Sequence, residues 1–114
     1  MNGAKTLEKR TKTAVTYDRM LCAGLTRFQK DLLKQMIYEN LYIIEILDFR
    51  GDFEFTYTLT NGDDDIKDLR QVTFEKLKKL DFINHQILPG CTEILRTKYF
   101  INENMRVPVL LACA

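Results

Sequence analysis

Tryptophan is absent, histidine occurs once, and glycine and proline number only five and two in 114 residues. Each scarcity excludes something. A single histidine, His85, cannot build a multi-histidine metal site or a histidine relay, and on its stretch it reads as a structural or surface residue. Few glycines leave few places for a backbone cradle, and neither a glycine-rich phosphate loop nor a G-x-S-x-G nucleophile elbow occurs. The three cysteines (Cys22, Cys91 and Cys113) are odd in number, widely spaced and without a C-x-x-C, so free thiols are expected, not disulfides or zinc ligands. No apolar run approaches the ~20 residues that cross a bilayer. Basic residues open the chain without an apolar stretch behind them, unlike a signal peptide. The net charge of +1 gives no global field toward polyanions, so any electrostatic function must be local. Together these features predict a soluble, cytoplasmic protein with no membrane segment, catalytic residues, metal or cofactor.

What is present is a globular balance of 46% apolar and 29% charged residues. That length suits one domain able to bury its own core. Residues 1–24 read as a basic arm, with Lys5, Lys9, Arg10 and Lys12 and a short helix near 15–23. Residues 25–114 read as a single α+β domain.

Thr26 followed by Gln29 forms a capping-box pair. Phe28, Leu32, Leu33, Met36 and Ile37 then fall on one helical face, and Asn40 is a natural stop. Leu41–Leu47 is an apolar, β-branched run interrupted only by Glu45, which predicts a buried strand. Phe53–Leu59 alternates, and Asp48–Asp52 between the two runs predicts a hairpin. Asn61-Gly62 and the acidic run Asp63, Asp64 and Asp65 follow. Those acids, with Asp68, lack the spaced ligands and internal glycine of a calcium loop, so they read as a solvated loop or helix start.

Asp68 or Thr73 is positioned to cap a second helix ending near Leu80, with Leu69, Val72, Leu77 and Leu80 as its stripe. Strands are predicted at Phe82–Leu88 and Glu93–Ile101 around a Pro89-Gly90 turn. A last edge strand is predicted at Val107–Ala112, because Pro108 cannot donate to a ladder. The expected architecture is two amphipathic helices packed on antiparallel sheet, made of a β-hairpin plus a C-terminal three-stranded meander.

Charge is segregated. Residues 48–68 carry about five net negative charges, whereas residues 1–20 and 70–79 each carry about three net positive. Arg70, Lys76, Lys78 and Lys79 lie mostly off the apolar stripe, a pattern suited to phosphate contact.

Leu25-Thr26 with Gln29, Leu32 and Leu33, then Val72-Thr73, Leu77, Leu80 and Asp81-Phe82-Ile83, then the hairpin at Pro89-Gly90, together resemble a winged-helix DNA-binding domain over residues 25–101. The resemblance implies that Arg70, Gln71, Lys76 and Lys79 face DNA, with Arg96 and Lys98 on a wing. Where that family places a second helix, this chain has the Leu41–Leu59 strands and the acidic loop.

Two functions follow as expectations. The first is a non-enzymatic, nucleic-acid-binding accessory or regulatory protein using Lys9, Arg10, Arg70, Gln71, Lys76, Lys78, Lys79, Arg96 and Lys98. The alternative is a protein-interaction module, such as a phage-encoded anti-defence inhibitor or immunity-type protein. Its acids Asp52, Asp63, Asp64 and Asp65 would meet a protein partner, mimicking a phosphate backbone. Homodimerisation through the C-terminal edge strand is a further expectation.

Overall fold

The computed structural model describes residues 20–90 and 92–112. Three helices and five strands follow in the order α1 (Arg27–Tyr38), β1 (Tyr42–Asp48), β2 (Glu54–Thr60), β3 (Asp65–Asp68), α2 (Gln71–Lys79), β4 (Ile83–Leu88), β5 (Ile94–Ile101) and α3 (Glu103–Ala112). Residues 20–22 are also helical. The strands form one antiparallel sheet of order β3-β2-β1-β5-β4.

Local chemistry explains the first half. The Thr26 hydroxyl accepts from the Gln29 backbone N–H while the Gln29 side chain accepts from the Thr26 N–H, so two orphan donors of α1 are satisfied reciprocally. Asn40 takes a left-handed conformation (φ 54°) and turns the chain into β1. β1 and β2 pair directly through the expected hairpin, with Ile43 opposite Leu59 and Leu47 opposite Phe55.

Alternation gives the sheet two unequal faces. Ile43, Tyr57, Leu59, Tyr99, Ile101 and Ile83 point to one side and are buried with Leu32, Leu33 and Met36 of α1 and Phe74 and Leu77 of α2. The other side, with Tyr42, Ile44, Ile46, Arg96 and Lys98, stands open at intermediate or full exposure.

The C-terminal segment differs from the sequence expectation. Val107–Ala112 is not an edge strand but lies in helix α3, with Pro108 inside it. The meander is therefore missing its third strand; β4 and β5 form a hairpin that joins β1 through β5. A dimer through a C-terminal strand loses its basis with the strand. The cause is Asn102, read as part of a turn. Its side chain accepts from the Asn104 N–H and its carbonyl from the Met105 N–H, which starts a helix. Val109 is fully buried, and the Cys22 thiol donates to the Pro108 carbonyl at 4.0 Å. Packing outweighs the poor fit of proline in a helix interior.

Asp65–Asp68 is also unexpected as structure. This short strand extends the sheet beyond β2, with a register shift between Leu59 and Thr60. The N-cap of α2 is Arg70, which makes no side-chain capping bond. Helices and antiparallel sheet are present as expected, and nothing in them identifies a winged-helix domain.

Candidate docking shelf and the charged residues around it

Along the helix-covered face, burial stops abruptly. In one cross-strand row Leu59, Ile43 and Tyr99 lie beneath the helices. Two residues further, Tyr57, Glu45 and Thr97 form the next row, with Tyr57 4% and Thr97 5% exposed. Another two residues on, Phe55 and Leu95 flank Leu47 and are 47% and 39% exposed. Each step is only about 6.6 Å along a strand. At the hairpin end Phe49 and Phe53 meet edge-to-face at 5.6 Å, and Phe53 is 62% exposed. Leu47, Phe55 and Leu95 form a half-exposed apolar shelf at this end of the face, with the Phe49–Phe53 pair at the hairpin beyond it. Tyr57 closes its inner end, its ring stacked against Phe55 at 6.4 Å.

Polar groups cluster where the shelf meets α2. Burial pushes the Glu45 carboxyl above its ordinary value; the Lys78 charge opposes this, Glu75 adds to it, and the Tyr57 hydroxyl donates to the carboxylate. Burial, helped by Glu45 and Glu75, pushes the Tyr57 phenol up to about 12. Lys78 rests over the rings of Tyr99 and Phe74 at 5.8 and 6.0 Å. Sequence reasoning noted Glu45 only as the single charge in an apolar run, which was the available signal of this site.

Acidic groups gather at the hairpin tip, where Asp48 and Glu54 pair on the open face of the sheet. Asp48, Gly51, Asp52 and Glu54 line an open cavity of about 240 Å³ at the hairpin tip. Arg50 holds Asp48 by a two-pronged ion pair at 2.9–3.0 Å, lowering that carboxyl to about 2. The Glu93 carbonyl accepts from the Phe49 N–H, which ties the β4–β5 turn to the same end.

The nucleic-acid candidates are dispersed. Arg96 and Lys98 lie on the open sheet face, where Lys98 sits 4.2 Å from the Tyr42 ring centroid. Arg70, Gln71, Lys76, Lys78 and Lys79 belong to the opposite layer. Within α2, Lys76 approaches Gly24 while Lys78 turns toward Tyr99. Arg70 lines an open groove of about 440 Å³ with Thr26, Phe28, Gln29, Val72 and Thr73. Lys9 and Arg10 lie outside the described residues. Asp63 and Asp64 occupy the exposed β2–β3 turn, where Asn61 accepts from both their N–H groups, and Asp65 opens β3. Asp52 is on the hairpin tip, away from that turn in sequence and pairing.

Among the described residues no three His, Cys, Asp or Glu side chains gather as metal ligands, and no helix is long and apolar enough to cross a membrane. The arrangement defines a two-layer α+β domain with a bare apolar step on its covered face. No protein-family model matches the chain, and no match is found among the curated proteins or the solved structures.

Proposed function

We propose that this protein acts by binding another protein, taking an apolar segment with basic residues onto the shelf of Leu47, Phe55 and Leu95. The observation that carries this reading is the abrupt change from buried Tyr57 to exposed Phe55 and Leu95 along continuous strands. Large apolar groups gathered at one end, rimmed by polar residues, characterise interaction sites and supply their anchoring residues. Glu45, on the same face at the inner end, favours a cation on the partner, and Asp52 lies at the hairpin tip beyond the outer end; Asp48 and Glu54 pair on the opposite face.

A displayed library of random peptides, panned against the full chain, tests the reading. Selected peptides should pair aromatic or aliphatic anchors with lysine or arginine, and the double variant Phe55→Ser/Leu95→Ser should lose them. Selection of acidic peptides, or equal capture by the folded double variant, overturns it.

A second reading, nucleic-acid binding, is favoured by one observation: Arg70, Lys76, Lys78 and Lys79 form no ion pair with any described carboxylate. Its test is anisotropy of a labelled single-stranded oligonucleotide and a labelled duplex at low salt. Binding through counterion release would weaken steeply as salt rises.

A further inference from the structure

The two edges of the sheet are built differently. β3 is four residues long, carries Asp65, Lys67 and Asp68, and joins its neighbour with a register shift. Shortness, charge and irregularity are the devices that keep edges from pairing. β4 has none of them. Its six residues, Ile83, Asn84, His85, Gln86, Ile87 and Leu88, include no proline, acid, lysine or arginine, and pair with β5 without interruption. Asn84, His85, Gln86 and Ile87 are exposed.

The unused backbone groups of β4 are identifiable. Phe82 stands opposite Asn102 by continuation of the ladder, and the Asn102 N–H donates to the Phe82 carbonyl. Alternation in an antiparallel pair then turns the groups of Asn84, Gln86 and Leu88 inward to β5 and those of Ile83, His85 and Ile87 outward. No described residue bonds to those outward groups.

We infer that β4 pairs antiparallel with β4 of a second copy about a two-fold axis through His85, making one continuous sheet across both molecules. Two requirements select this register. All three outward-facing residues must bond, and the helices of both copies must lie on the same side of the sheet. Placing His85 opposite His85 of the second copy meets both, because Ile83 then faces Ile87 of that copy and each such pair exchanges two hydrogen bonds.

The side chains are self-complementary in this register. Isoleucine meets isoleucine and histidine meets histidine on the helix side, and Asn84 meets Gln86 on the open side. An occupant with the same strand therefore places apolar on apolar and amide on amide, and brings no acid or lysine opposite another. The hydrogen-bonding edge of β4 is not part of the Leu47–Phe55–Leu95 shelf, although Ile87 lies one row from Leu95 on the same face, so the inference stands apart from the proposed partner.

Sedimentation velocity on the full chain tests it, with circular dichroism and a cooperative melt confirming that every variant is folded. Wild-type protein on the order of 100 µM should populate a dimer. His85→Lys and His85→Glu alone should each weaken it by about tenfold or more, since like charges then oppose at the axis. An equimolar mixture of the two should restore a dimer containing one of each. A monomeric wild type, single variants that dimerise as well as wild type, or a mixture that stays monomeric would each overturn the inference.

Discussion

The rings of Tyr57 and Phe74 stack 4.3 Å apart, so the second helix is seated on the sheet at the last covered row before the shelf. Phe74 also meets Tyr99 edge-to-face at 4.7 Å and has no exposed surface. One ring thus sets how far the helix layer reaches.

Replacing that ring should be costly. Phe74→Ala removes two aromatic contacts and leaves a cavity, so a loss of about 3–5 kcal/mol is expected in urea unfolding. A loss below about 1 kcal/mol would mean that α2 is held chiefly by Leu77.

Arg70→Ser should stabilise. Arg70 has the extended backbone of an N-cap (φ −75°, ψ 145°) but gives no side-chain bond to the helix start. Serine supplies such an acceptor, and a gain of about 0.5–1 kcal/mol is expected from thermal and denaturant melts. The same variant lowers any oligonucleotide affinity that depends on this cation, separating helix stability from binding.

Glu45 predicts a pH dependence of definite sign. Its folded carboxyl holds a proton above the ordinary value of 4.5, so the folded state binds more protons than the unfolded chain between those two values. Stability contributed by the neutral acid is complete below 4.5 and is lost as pH rises through the folded value. Glu45→Gln should therefore raise the melting temperature at pH 7, by an increment that shrinks below 4.5. An increment independent of pH would assign the effect to packing instead.

Phe55→Ser/Leu95→Ser should lower stability by about 1–3 kcal/mol and leave the fold intact, because each side chain is half-buried. Binding of an apolar reporter dye to the native chain should fall. Undiminished dye binding would place the accessible apolar surface elsewhere, the Phe28–Val72 groove being the next candidate.

The elements that were legible in the sequence are those whose cause is local. Thr26 with Gln29, Asn40 with its positive φ, and the alternation of Phe53–Leu59 each act within a few residues. Alternation correctly put Phe55 and Tyr57 on one face, but not which of them the helices would cover, because α2 settles that from fourteen or more residues away. Helix α3 was misread because Pro108 argues locally against it, whereas burial of Val109 and the Asn102 cap decide in its favour. Charge segregation along the chain was plain. That Arg96 and Lys98 would stand on the opposite side of the sheet from Lys76 and Lys79 depends on strand register, which composition does not encode.

The clipped, carboxylate-bearing margin formed by β3 has a consequence for assembly size. Once two copies join at β4, both outer margins of the joined sheet are β3, and neither welcomes another molecule. Growth ends at a closed pair, so raising the protein concentration should saturate one association step instead of drawing the chain into fibrils.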